Sequence, residues 1–180
     1  MNEKQVQQLM QVKYYLTLAE AQRRLAQRAA NFAAINLLHE AFESTLIALA
    51  EHLNAATSER ATVDQYFNKI DERLAGRSLP FRVKMMQFNR ARVLAKHALT
   101  LPDDHSLNSF FGTVPEFCAE AIRLGFDAEL DDVNLLNLVV DVETKTFIVE
   151  AIGYRNNQFF LMDLQASAKH SSPCLKSVLM

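Results

Sequence analysis

The run from Asn31 to Asn54, NFAAINLLHEAFESTLIALAEHLN, decides the fold class. Ile35, Leu38, Phe42, Leu46, Leu49 and Leu53 recur at steps of three and four residues, which lines them along one side of an α-helix. No glycine or proline interrupts the chain before Gly76, so the helical reading extends back to Glu3 and on to residue 57. A helix of that length is unusual in a small domain, so a break is expected. Asn31, a residue type suited to an N-cap, marks the place. The pattern predicts a first helix from Glu3 to about Ala29 and a second from Phe32 to Asn54.

Further helices follow the same logic. Thr62 and Gln65 form a capping box, Val63, Phe67, Ile70 and Leu74 supply a buried face, and Gly76 is a stop. Pro80 suits the first turn of a fourth helix, which must end before Pro102. Pro102-Asp103-Asp104 is a turn signal, so residues 102–112 read as a loop. Thr113, Pro115 and Glu116 then read as the start of a short helix that stops near Gly125. Segment 130–152 is ambiguous. Asp131 and Asp132 suit a helix start, whereas the β-branched runs around Val139 and Ile148 suit a hairpin turning at Glu143-Thr144. Helix is the favoured reading, because Glu143-Thr144 is a poor pair for a tight turn. Antiparallel helices on short connections make an all-α bundle of about five to six helices.

Composition agrees. Four glycines and four prolines in 180 residues are too few for the many turns of an all-β fold. The length suits a single helical domain over 1–165, with a polar, weakly patterned tail at 166–180. Cys118 and Cys174 are far apart and outside any ligand spacing, so they read as free thiols in a reducing compartment. No signal peptide is visible and no uninterrupted apolar run has the length of a membrane span, so a cytoplasmic location without membrane contact is expected. The formal net charge of −2 says nothing about partners, but its distribution does. Between Arg73 and Leu101 lie Arg73, Arg77, Arg82, Lys84, Arg90, Arg92 and Lys96 with no acid, whereas residues 116–150 are acidic. A basic block can meet phosphate, or the two blocks can neutralise each other.

The fourth helix, PFRVKMMQFNRARVLAKH over residues 80–97, has apolar side chains nearly all round and is therefore expected at the centre of the bundle. One polar stripe emerges from it. Arg82, Asn89, Arg92 and Lys96 lie within about a quarter-turn of one another, and three cations with an amide suit a phosphate-rich ligand. On helix two, His39 and Glu43 lie one turn apart with Glu40 adjacent. A di-metal bundle would need Glu-x-x-His from two helices, which the chain lacks, so a solvent-facing His–Glu pair is expected, with no metal and no cofactor.

Arg92, four intervening residues and His97 resemble the Arg–His motif of the HEPN superfamily. The wider string Asn89-Arg90-Ala91-Arg92-Val93-Leu94-Ala95-Lys96-His97 and the segment Leu38-His39-Glu40-Ala41-Phe42-Glu43 are also similar to members of it, and the resemblance covers residues 30–125. It implies a four- to five-helix bundle that forms a homodimer. In catalytic members the Arg and His of two protomers meet across the dimer and cleave RNA without metal, as in toxins paired with antitoxin proteins and in phage defence. Carried over, Arg92 would stabilise charge on the phosphorane and His97 would be general acid or base, with Arg82, Asn89 and Lys96 binding substrate. Other members only bind RNA, nucleotide or a protein partner. Val93 stands where catalytic members carry Asn, Asp or His, which favours binding, whereas the Arg92–His97 pair itself favours catalysis; a metal-independent ribonuclease is the first expectation and a non-catalytic binding module the alternative. Residues five apart lie about 140° apart around a helix, so Arg92 and His97 need a second protomer or a distortion to converge.

Overall fold

The computed structural model describes residues 1–55, 58, 61–134, 143, 144, 146–148, 150 and 153. The chain divides into two compact units, Met1–Asn137 and Leu138–Met180. In the second, all the described residues from 143 to 153 are helical, including Glu143 and Thr144, the would-be hairpin turn. The tail expected at 166–180 lies outside the described residues.

The first unit is all-α, with α1 (Glu3–Arg23), α2 (Arg28–His52), α3 (Val63–Asp71), α4 (Arg82–Ala98) and α5 (Asp104–Phe126). The central element is α2, which packs against all four others. It buries residues on nearly every side, from Ala34 and Ile35 through Leu38, Ala41 and Phe42 to Leu46 and Leu49. By length and composition α2 could cross a bilayer, but 56% of its most apolar window is buried inside the unit, as a core helix requires.

Phe42 is the hub of the core. Its ring lies 5.2 Å from Phe117 of α5, 6.2 Å from Phe88 of α4 and 6.5 Å from Phe67 of α3. All four rings are fully buried, so one aromatic cluster joins four helices. Gly125 lets α5 lie close on α2, because a Cβ there would sit 2.1 Å from Leu49 Cδ2. The other end of α5 is tied to α1, where Arg23 donates to Asn108 Oδ1 at 2.9 Å and stacks 4.7 Å above Phe111. Past α5, Lys13 Nζ on α1 donates to the carbonyls of Asp131 and Val133 at 2.8 and 2.9 Å.

Several boundaries differ from the sequence expectation. The first break falls at residues 24–27, not at Asn31, which lies inside the first turn of α2. Ala26 takes a left-handed φ of 51° there, and Gln27 offers no side-chain cap. The local cost is overridden by pairing α1 antiparallel to α2, which buries Val6, Leu9 and Val12. Thr62 and Gln65 do form the expected capping box, and Gly76 has φ 86° beyond the end of α3. Pro80 precedes α4 by two residues, and left-handed Phe81 is the N-cap.

Residues 102–112 are not a loop. Asp103 caps α5 by accepting from Ser106 N at 2.9 Å and from Ser106 Oγ at 2.7 Å. The helix then runs through Gly112 and Pro115. Thr113 Oγ1 donates to the Ser109 carbonyl inside it instead of capping a new helix. A proline inside a helix costs a hydrogen bond and about 3 kcal/mol. The buried stripe of Leu107, Phe110, Phe111, Val114, Phe117, Cys118, Ala121 and Ile122 outweighs that loss.

Candidate functional site

The expected centrality of α4 does not hold. Only Met85, Phe88 and Ala95 are buried, and Val83 and Leu94 are 73% and 54% exposed. The helix covers one side of α2 with a single face, and its other apolar residues point outward. The polar stripe lies along the edge of the buried face, so its members meet different surroundings.

Arg82 is a structural clamp. It bonds Asp64 Oδ1 at 2.7 Å and Asn68 Oδ1 at 2.6 Å, lies 3.6 Å from Asp71 Oδ2, and sits over the Phe67 ring at 5.5 Å. Those contacts fasten α3 to α4 and leave it little freedom for a ligand. Lys96 is exposed. Asn89 turns inward, its Oδ1 lying 3.0 Å from Nε2 of His39 on α2.

His39 is the residue that sequence reasoning misplaced. It is not a solvent-facing partner of Glu43. It is only 5% exposed, wedged near Phe42 and Phe88 with ring centroids at 6.0 and 6.2 Å. A signal for this was present, since Ile35, His39, Phe42 and Leu46 themselves fall at helical steps of four, three and four. Because Asn89 presents a carbonyl oxygen, which can only accept, the proton of the imidazole is on Nε2 and Nδ1 carries the lone pair. Burial pushes the His39 pKa below its ordinary value. The Asn89 bond acts the other way, the Arg92 charge lowers it further, and Glu43 and Glu40 raise it. The imidazole is therefore neutral at pH 7.

Arg92 lies one turn beyond Asn89 and is half-buried, near enough to His39 for its charge to bear on the imidazole. Its Nε is buried without a hydrogen-bond partner. Among the described residues Arg92 forms no ion pair, and no pair joins the basic block 73–101 to the acids of 116–150. Mutual neutralisation of the two blocks is thus not what the described residues do. Glu120 pairs with Arg123 on its own helix instead.

His97 is exposed, as are its neighbours Val93, Leu94 and Leu99. Within one chain α4 carries Arg92 inward toward α2 and His97 outward, as the angle of about 140° between them requires. Of the residues expected at the site, the structure brings Arg92 and Asn89 together with His39. It assigns Arg82 to scaffolding and leaves Lys96 and His97 on the surface. No known protein family, characterised protein or solved structure matches this chain.

Proposed function

We propose that this chain is a HEPN-like helical module that binds a phosphate-bearing ligand, a nucleotide or RNA, at Arg92. The observation that carries the reading is the half-buried Arg92 guanidinium, whose Nε is buried with no acceptor and which has no acid among the described residues. A buried donor left unpaired costs about 1–3 kcal/mol, more on a charged group. Two oxygens of one phosphate from outside the chain would take Nε and a terminal nitrogen together, in the two-pronged geometry that arginine offers phosphate, once the side chain turns outward to uncover Nε. Lys96, one turn further on and exposed, would supply a second cation that tracks a neighbouring phosphate. Neutral His39 adds no competing charge.

The test is titration of a labelled single-stranded RNA and of ATP into the full chain, with salt dependence. Arg92→Ala is expected to weaken binding at least tenfold, Lys96→Ala less, and His97→Ala not at all. Equal binding by wild type and Arg92→Ala sinks the reading.

A second reading, a metal-independent ribonuclease of toxin or defence type, is favoured by the outward face of α4. His97 lies there among the exposed apolar side chains of Val93, Leu94 and Leu99, where a second copy of the helix could dock. A homodimer of that kind would bring the His97 faces of two protomers together, and catalysis would require Arg92 to turn from its place against α2 toward the other protomer's His97. Its test is incubation with total RNA in EDTA. Cleavage by wild type and none by His97→Ala would favour the nuclease, and no cleavage by either would leave the binding module.

A further inference from the structure

His39, Glu40 and Glu43 on α2 form a second constellation, and it does not depend on the anion at Arg92. One ligand atom from each side chain lies within 4.8 Å of the other two. Such clusters are common on helix surfaces, but this one contains a member that is not at the surface. His39 is 5% exposed, and its Nδ1 has no hydrogen-bond partner.

The Nδ1 atom carries a lone pair, because the ring proton is on Nε2 against the Asn89 carbonyl. Glu43 Oε2 lies 3.7 Å from it. Two acceptors therefore face each other with no donor between them, an arrangement that is stabilised by a cation in the gap. A proton alone does not fill it, since 3.7 Å is too long for a hydrogen bond between the two atoms. A metal ion fits better. A zinc-type ion about 2.1 Å from both atoms would subtend an angle of about 120° at 3.7 Å, close to tetrahedral. The Nε2–H bond to Asn89 is the outer contact that orients a ligating histidine and fixes its tautomer. Glu43 is exposed and Glu40 half-buried, so both carboxylates can swing by the small amounts that closing a ligand shell requires.

We propose that His39 Nδ1, Glu43 and Glu40 bind one divalent transition-metal ion of the zinc class. Three protein ligands leave a coordination position open. Arg92, bearing on the same imidazole from α4, opposes a bare cation and favours one that carries an anionic ligand in that position.

The test uses the full chain, stripped with EDTA and dialysed, then titrated with Zn²⁺ against a metallochromic indicator. Wild type is expected to bind one ion that depends on this triad. Because His39→Asn could disturb the core, the decisive variants are Glu43→Ala and Glu40→Ala, both toward the surface. Each is expected to weaken Zn²⁺ binding at least tenfold, while His97→Ala and His105→Ala leave it unchanged. In ¹H–¹⁵N correlation spectra the His39 Nδ1 resonance is expected to shift on Zn²⁺ addition while Nε2 keeps its proton. Failure of wild type to bind Zn²⁺, or undiminished binding by Glu43→Ala, overturns the proposal. Because these variants leave Arg92 in place, their outcome is separable from the RNA and nucleotide titrations.

Discussion

Replacing Asn89 with leucine tests the link between α2 and α4 at the hydrogen bond from His39. The branched outline of the side chain is kept in a bulkier form, but the oxygen 3.0 Å from His39 Nε2 is lost. His39 is 5% exposed, so water cannot readily replace that acceptor. An orphaned buried donor costs about 1–3 kcal/mol. For a chain of this length that corresponds to a fall in Tm of roughly 2–12 °C, at about 2–4 °C per kcal/mol. The double variant His39→Leu/Asn89→Leu removes donor and acceptor together and is expected to recover most of the loss, since apolar groups of similar shape leave nothing unpaired. Asn89→Asp keeps an acceptor and adds a charge that favours imidazolium, so it is expected to raise the His39 pKa where Asn89→Leu lowers it. Thermal unfolding followed by circular dichroism reads the stability, and imidazole ¹H–¹⁵N correlations read tautomer and pKa. If Asn89→Leu melts within 1 °C of wild type with an unchanged imidazole spectrum, the bond to Asn89 does not hold His39.

Three further outcomes follow from the packing and the charges. The His39 pKa is depressed in the fold, so below about pH 6.5 the unfolded chain takes up a proton that the folded chain refuses. The stability from this group is complete above that pH and declines as pH falls through it. Arg92 from α4 strengthens the effect, and Asn89, Glu43 and Glu40 oppose it. Urea unfolding at pH 7.5 and 5.5 should therefore show lower stability at 5.5, with a smaller difference in His39→Gln. Gly125→Ala places a methyl carbon 2.1 Å from Leu49 Cδ2, so the buried Leu49 side chain must shift. The overlap costs about 1–3 kcal/mol, offset by about 1 kcal/mol of helix propensity. Leu49→Ala reopens the space, so the two substitutions should be non-additive in chemical unfolding, and strict additivity would refute the contact. The Cys118 thiol is buried, and burial pushes its pKa up to about 12. It should resist thiol labelling in the native protein and react at once in urea, and rapid native labelling would contradict its burial.

What the sequence determined by itself was the kind of element. The absence of glycine and proline before Gly76 and the period of the apolar residues from Ile35 to Leu49 require helices, because both are local properties of the chain. The Thr62–Gln65 capping box was legible for the same reason, since its partners are three residues apart and need no other part of the molecule. The tertiary structure decided where helices break and which face goes where. The turn at Ala26 and the passage of α5 through Pro115 both run against local preference, and each is held by burial against another helix. Helix α4 is apolar nearly all round in sequence, yet α2 occupies the centre, because α2 buries residues on nearly every side whereas α4 buries only Met85, Phe88 and Ala95. The surroundings of His39 and Arg92 belong to this second kind of information. The two residues are 53 positions apart, and only the crossing of α2 with α4 puts the imidazole near a guanidinium that has no ion pair among the described residues.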